Sequence, residues 1–296
     1  MKELSGKVAV ISGGAEGIGL GLAKALGGHG MSIVVADINA QQLAKAQLAL
    51  EQAGVPVLVC ELDVASVAQW EEVTRQAIER FGKIHMLVNN AGVGGSPKPI
   101  GTSSEQDWRW ILDVNLMGVV NGAQAVVPHI TAHGEGGWIV NVASMAGFVS
   151  LPAASAYSAT KAAVVAMSEC WRAELAPQGV KVSVLCPGFV KTRINLSQRN
   201  RPAHYEEESV VSANPEMEKA MGDQMQAVID AGASTELIAR RVVEAMEQDE
   251  FYIITHPNFL PVVAHRFQEV TGAFERAARS SLLADIVEQK IPGFEQ

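Results

Sequence analysis

Residues 8–28 read "VAVISGGAEGIGLGLAKALGG": a short apolar run rich in β-branched side chains, a glycine-rich turn, and a helical pattern. "VAVIS" has the near-continuous apolar character of a strand buried on both faces, and the residues after Gly17 read as the helix that follows it. Gly13, Gly17 and Gly19 let the chain turn sharply between the two and leave the N–H groups at the helix start open to an anion. The same rhythm continues down the chain. "SIVVAD" (32–37), "PVLVCELD" (56–63), "HMLVNN" (85–90), "WIVNVAS" (138–144) and "KVSVLCPG" (181–188) read as further strands. Between the first of these lie amphipathic stretches (38–54 and 66–82), each closing on a glycine as helix ends often do. Alternation kept up over six strands predicts an α/β fold, a doubly wound parallel sheet with helices on both faces.

After Gly188 the rhythm breaks. Residues 191–232 are polar and mixed in charge, with a helix predicted near 215–230, and an insertion of this length reads as a lid over a substrate site. A helix (234–248) and a strand, "EFYIITHP" (250–257), follow, bringing the Rossmann-type sheet to about seven strands. The expectation is a single domain over 1–296, with 191–232 as the lid and 258–296 as a C-terminal extension, helical in its first half. Ligands should bind at the carboxyl ends of the strands, where the winding reverses.

The formal charge of -9 argues against nucleic-acid or anionic-membrane partners, since phosphate binding needs a basic surface. No apolar stretch of about 18 residues is evident, and "MKELSGKVAVISGG" lacks the pattern of a signal peptide. Cys60, Cys170 and Cys186 lie far apart among apolar neighbours and read as core residues in a reducing compartment, so a cytoplasmic location is expected. His129 and His133 share helical i, i+4 spacing, but no carboxylate or cysteine cluster joins them, so no metal site is expected.

The glycine turn gains meaning from Asp37, which closes the second strand. A carboxylate about 20 residues beyond such a turn is placed to accept hydrogen bonds from adenosine ribose hydroxyls. It would repel a 2′-phosphate, and Glu16 inside the turn adds a second negative charge, so NAD is expected over NADP. Asp37 also reads as a plain helix N-cap, and the two roles are compatible.

"SAYSATKA" (155–162) places Tyr157 and Lys161 four apart on one helix face. A nearby cation favours phenolate and lowers a tyrosine pKa, which would let Tyr157 exchange a proton with an alcohol or ketone near neutral pH. Ser144 ends the fifth strand at the ligand-binding edge, and Asn115 sits mid-helix in "LDVNLMG", where an asparagine competes with the backbone.

Taken together, "SGGAEGIG", Asp37, "LDV" (62–64), "NNAG" (89–92), Asn115, Ser144, "YSATK" and "PGFVKT" (187–192) resemble the short-chain dehydrogenase/reductase family over the first 190 residues and 234–257. The resemblance implies that Tyr157 is the general acid/base and that Lys161 lowers its pKa and holds the nicotinamide ribose. It makes Ser144 the substrate-oxygen donor and Asn115 the anchor of a proton-relay water. Asp63 and Val64 would border the adenine, Asn90 and Gly92 would line the cofactor groove, and Pro187, Gly188 and Thr192 would meet the nicotinamide end. Gly13, Glu16, Gly17, Ile18, Gly19, Asp37, Ile38, Ala91 and Val190 complete the implied cofactor set, with Tyr157 and Lys161 in both groups. Ser12 and Gly14 depart mildly from the family's usual threonine and alanine.

The implied activity is oxidoreduction of a secondary alcohol and ketone with NAD, on a small molecule, by a homodimer or homotetramer formed through helices near 104–133 and 155–176. Gly94, Phe148, Pro152, Phe189 and Tyr205 are the expected substrate wall. The stretches 193–205 and 251–259 are similar to dehydrogenases that oxidise the benzylic Cα alcohol of lignin-type aryl ethers, which suggests a bulky apolar or aromatic substrate. Sterol, sugar and 3-oxoacyl substrates remain as alternatives, as does a non-catalytic NAD sensor. Arg193, Arg199, Arg201, His204 and Tyr205 could read an acidic substrate group or could be paired on a solvated face.

Overall fold

Every residue of the first apolar run is buried, and that run forms β1 (Val8–Ser12) in the computed structural model, which describes residues 4–206 and 215–290. The alternation then unfolds as α1 (Gly17–Gly28), β2 (Ser32–Asp37), α2 (Ala40–Gln52), β3 (Val57–Glu61), α3 (Val67–Phe81) and β4 (Met86–Asn89). One long helical run follows, α4 (Glu105–Leu112) and α5 (Gly118–Ala132) joined by a π-turn over Asp113–Met117. β5 (Gly137–Val142), α6 (Ser155–Leu175) and β6 (Val180–Cys186) lead to α7 (Pro215–Asp230), α8 (Thr235–Glu247) and β7 (Tyr252–Ile254).

The seven strands are all parallel, in the order β3-β2-β1-β4-β5-β6-β7. The winding reverses between β1 and β4, which opens a crevice at their carboxyl ends. Helix starts are fixed locally: Asn39, Ser66, Ser104 and Ser234 each accept a hydrogen bond from the N–H three residues on. Leu22 and Leu26 of α1, with Val242 and Met246 of α8, join Ile11, Ile33 and Val35 of the sheet in one apolar core. Cys60 and Cys186 are buried as expected, but Cys170 is exposed, because α6 turns that position away from the sheet.

Contrary to the sequence expectation, the helical run Glu105–Ala132 is long and apolar enough to cross a bilayer by length and composition. Half of its apolar window is buried, and Asn115 and Asn121 are buried within it. The chain divides into two compact units at Thr255 and His256. The second holds α9 (Leu260–Ala278) and α10 (Ala284–Val287), with no strand among its described residues.

The amino-terminal edge of the sheet carries a pH-sensitive contact. His85 Nδ1 accepts the Val8 N–H at 3.1 Å and its Nε2 lies 3.2 Å from Glu135 Oε2, with Lys7, Lys83 and His133 around it. Burial, ahead of the opposing Glu135 contact, holds the His85 pKa below its usual 6.5. The folded protein therefore binds a proton here less readily than the unfolded chain, so stability should be full above about pH 6.5 and decline as the pH falls below it. The urea midpoint at pH 5.5 should lie below that at pH 7.5, with a smaller difference in His85→Gln. An equal difference in the variant would assign the effect elsewhere.

Candidate active site

The glycine turn is shaped by close approach. Gly13 has φ 59°, a left-handed conformation that favours glycine, and a Cβ there would sit 2.7 Å from Ala91 Cα. A Cβ on Gly19 would come within 2.3 Å of the Gly13 carbonyl oxygen and 2.6 Å of Asn90 Nδ2. Asn90 ties the turn to β4, donating from Nδ2 to the carbonyls of Ser12 (3.0 Å) and Gly13 (2.8 Å). Ser12 Oγ accepts the N–H groups of Asn90 and Ala91, which is what its hydroxyl contributes in place of threonine. At the start of α1 the Glu16 side chain makes no capping bond, so its first-turn N–H groups stay available to an anion.

Asp37 is buried, and its carboxylate accepts from Ala15 N (3.2 Å) and Asn39 N (3.0 Å), joining the glycine turn to the end of β2. Burial, the largest influence, raises its pKa, while the two N–H donors act in the opposite direction. Asn39, not Asp37, caps α2. Ile38 and Ile18 lie half-buried on either side of this corner, and Asp63 accepts from Ala65 N at 3.0 Å just beyond it. The carbonyl of Val64 is taken by Trp70 and Asn121, and its buried side chain packs beside Gly118.

Glu16 overturns one expectation. Both Arg193 and Arg199 bind its carboxylate, so two guanidinium groups outweigh one carboxylate at the turn. Glu16 is therefore no second negative charge against a 2′-phosphate, and that repulsion falls to Asp37 alone.

Across the crevice, Ser144 follows β5 and Tyr157 and Lys161 lie on the first turns of α6. Ser144 hydrogen-bonds the Tyr157 phenol, accepts from Ala146 N (3.1 Å) and reaches the Pro187 carbonyl (3.5 Å). Lys161 is buried and donates from Nζ to the Val142 carbonyl at 2.8 Å, with Nζ 5.7 Å from the Tyr157 ring centre. Burial lowers the Lys161 pKa to about 8, and Cys186 nearby acts weakly the other way. The Tyr157 pKa is raised, by burial first, with the Ser144 hydrogen bond opposing. The expectation was a lowered phenol pKa; in the protein alone burial raises it, and the Lys161 ammonium donates to Val142.

Asn115 lies in the π-turn, fully buried, with Oδ1 accepting from Val93 N (2.8 Å) and Nδ2 donating to the Val93 carbonyl (2.9 Å). That pairing explains a mid-helix asparagine: its side chain satisfies both backbone groups of Val93, just after "NNAG". Single π-turns break the regular ladder and recur at functional sites. Gly92 packs beside it, where a Cβ would lie 3.4 Å from Asn115 Oδ1 and 3.5 Å from Lys161 Nζ.

Sequence reasoning missed what holds α6 in place. Asn89 Nδ2 donates to Asn141 Oδ1 (2.9 Å), Asn141 Nδ2 to Ser168 Oγ (2.9 Å), and Ser168 Oγ to the Val164 carbonyl (2.7 Å). The signal was there in Asn141, a polar side chain in the middle of "WIVNVAS".

The segment after β6 runs as short 3₁₀ turns, Ile194–Asn200 and Ala203–Tyr205. Val190 is buried and pairs with Ala233, and the Thr192 methyl sits 3.3 Å from the Cβ position of Gly17. Ser197 Oγ accepts the Gly94 N–H (3.0 Å), and Asn200 Oδ1 accepts from Asn39 Nδ2 (3.1 Å). Arg201 binds Asp107 at 2.9 Å and stacks on Trp110 at 4.9 Å. Of the expected substrate wall, Gly94 and Phe148 are half-buried, and Phe189 and Pro152 are exposed near the crevice. Tyr205 departs from that wall: it is buried against Val93, Trp110 and Ile111, and its hydroxyl donates to Asp113 at 2.7 Å. Residues 207–214 of the expected lid lie outside the described residues.

The short chain dehydrogenase family profile matches residues 7–203. The chain belongs to this family. A short-chain dehydrogenase/reductase from Burkholderia phymatum, solved in complex with NAD, is 36% identical, with a TM-score of 0.87 over 92% of this chain and 96% of that one. A C alpha-dehydrogenase of a Sphingobium species is 34% identical over 91% of this chain and 87% of its own length. A CLA biosynthesis dehydrogenase/reductase of Lactiplantibacillus plantarum is 33% identical over 91% and 95%. This short-chain dehydrogenase is thus an oxidoreductase acting on CH–OH groups, and NAD is the cofactor held by its Burkholderia relative. The turn fits that cofactor, since the cradle at Gly13 and Gly19 is one a methyl group would fill and the α1 N–H groups stand open. Gly19→Ala should force the turn apart and weaken NAD binding by about 5- to 150-fold, the effect of about 1–3 kcal/mol of overpacking. Titration of NAD against protein fluorescence checks it, and unchanged affinity would remove the turn from the cofactor site.

Proposed function

We propose that the protein interconverts a bulky apolar or aromatic secondary alcohol of benzylic type with its ketone. The observation that carries the substrate class is the likeness to the C alpha-dehydrogenase, which extends past the family core through 91% of this chain. The arginines of the segment after β6 support it, since Arg193 and Arg199 are held by Glu16 and Arg201 by Asp107. An acidic substrate group would have to compete with those carboxylates.

In this proposal Gly13, Gly17, Gly19, Asp37, Asn90, Lys161, Pro187 and Thr192 hold the cofactor, with Asp37 reading the ribose hydroxyls. The two-electron acceptor is supplied by bound NAD. Ser144 orients the substrate oxygen by a hydrogen bond and keeps it beside the Tyr157 hydroxyl. Tyr157 takes the alcohol proton in oxidation and returns it in reduction. A positive charge beside the phenol, from Lys161 and from the oxidised cofactor, offsets the burial that raises the Tyr157 pKa. Asn115 fixes the π-turn, whose altered backbone register leaves a carbonyl for a relay water. The segment 191–232 serves as the lid. We further propose a homodimer or homotetramer through α4–α5 and α6.

A panel of benzylic alcohols, sterols, sugars and 3-oxoacyl compounds, followed at the NADH absorbance band, tests the substrate class. The highest kcat/KM should fall among the benzylic alcohols. A sterol, sugar or 3-oxoacyl compound in first place would reject the class, and inactivity across the panel with NAD still bound would favour a sensor.

A further inference from the structure

The second unit, from His256 onward, carries exposed apolar surface among its described residues. α9 is 19 residues, about 28 Å of helix, and none of its residues is buried, nor is any in Ser281–Leu283 or α10. Leu260, Val263, Phe267, Val270, Phe274 and Ala277 recur along it at spacings of three and four in strict alternation. That is a 3.5-residue repeat, the a/d seam of a coiled coil, with Val262, Ala264 and Ala278 adding apolar surface beside it. Phe267 is 56% and Phe274 is 74% exposed, and a phenyl ring left in water forgoes its burial free energy.

We infer that α9 pairs antiparallel with α9 of a second copy of this chain. The seam is complementary to itself in that orientation. Leu260 falls opposite Ala277 of the second copy, Val263 opposite Phe274, and Phe267 opposite Val270, so each layer sets a larger side chain against a smaller one. A parallel, in-register pair would stack Phe267 on Phe267 and Ala277 on Ala277, giving layers too thick and too thin to fill evenly.

The flanks agree. Ala264, Thr271 and Ala278 occupy the e positions, which are small and uncharged and allow close approach. On the other side Arg266 falls opposite Ala273, so no like charges meet beside the seam. Residues 256–290 also balance their charge, with Arg266, Arg276, Arg279 and Lys290 against Glu269, Glu275, Asp285 and Glu288, in a chain whose formal charge is -9. Two such segments approach without net repulsion, and their neutrality gives no electrostatic preference for an anionic bilayer. This contact is separate from the proposed α4–α6 assembly and independent of the substrate.

Light scattering after gel filtration of the full chain tests the inference. Phe267→Glu with Phe274→Glu should halve the particle mass while NAD affinity stays unchanged, since both positions are exposed and lie outside the cofactor site. Mass equal to wild type, or a monomeric wild type, would overturn it. A second measurement fixes the orientation: in a Cys170→Ser background, Leu260→Cys with Ala277→Cys should form a disulfide-linked dimer on oxidation. A dimer from Leu260→Cys alone would mean a parallel pair and overturn the proposal. So would wild-type sedimentation with phosphatidylglycerol vesicles that the Glu variant loses, or hydrogen-exchange protection of 263–274 that persists in the Glu variant.

Discussion

Replacing Tyr157 by Phe should lower kcat by about 10²–10⁴ and leave NAD affinity close to wild type. The hydroxyl is the one polar atom removed, and it bonds Ser144 at the carboxyl edge of β5. Burial keeps this phenol protonated in the protein alone, so it is a proton donor waiting on a nearby positive charge before it can accept. The pH profile carries a second reading. Oxidation should rise with pH through the range in which Tyr157 loses its proton, and the variant should lack that limb. The measurement is steady-state kinetics with NADH absorbance, beside NAD binding by fluorescence. Turnover within tenfold of wild type would reject Tyr157 as the acid/base. Weakened NAD binding without a kcat effect would make it a positioning residue.

Arg201→Met should cost about 3–5 kcal/mol of stability, the range for breaking a buried ion pair from one side. Arg201 and Asp107 have side chains 9% and 5% exposed and meet at 2.9 Å. The guanidinium also donates to the Tyr205 carbonyl at 2.9 Å and stacks on Trp110, while Asp107 Oδ2 accepts from Ser96 N. Removing the arginine leaves a carboxylate inside an apolar cluster with one N–H for company. For a chain of this size the thermal midpoint should fall by roughly 10 °C. Arg201→Met with Asp107→Leu should recover most of the loss, because a well-packed apolar pair can match a buried ion pair. A single variant as stable as wild type would show the pair to be solvated. The segment 191–206 hangs on this pair, so KM for the alcohol should rise more than kcat falls, provided assays stay below the lowered midpoint.

Much of the fold was legible before any coordinates. A strand buried on both faces must be apolar throughout, so β1, β2, β4, β5 and β6 announce themselves, and the helices between show their period and caps. The cofactor turn was legible for the same kind of reason: Gly13 and Gly19 occupy positions where a Cβ has no room. Tyr157 and Lys161 were legible because helical spacing places them on one face. Less legible was anything set by contacts distant in sequence. Glu16 read as a bare negative charge, since nothing local reveals that Arg193 and Arg199 return to it from 177 and 183 residues away. Tyr205 read as a substrate contact, because its partner Asp113 lies 92 residues earlier.

The parallel sheet, the strand–glycine–helix turn and the Asp37 corner are written in the sequence alone, and Asn115, Ser144, Tyr157 and Lys161 stand out there as candidates. These follow from local rules, namely period, sterics at glycine and residue chemistry, and such rules act within a turn or two of the chain. The three-dimensional arrangement sets how the charges are spent. It gave Lys161 to the Val142 carbonyl, Asn115 to Val93, Glu16 to two arginines, and it raised the Tyr157 pKa where proximity to a lysine argued for lowering it. The reason is that desolvation and ion pairing depend on what surrounds a group in three dimensions, and a residue's neighbours along the chain are a minor part of those surroundings.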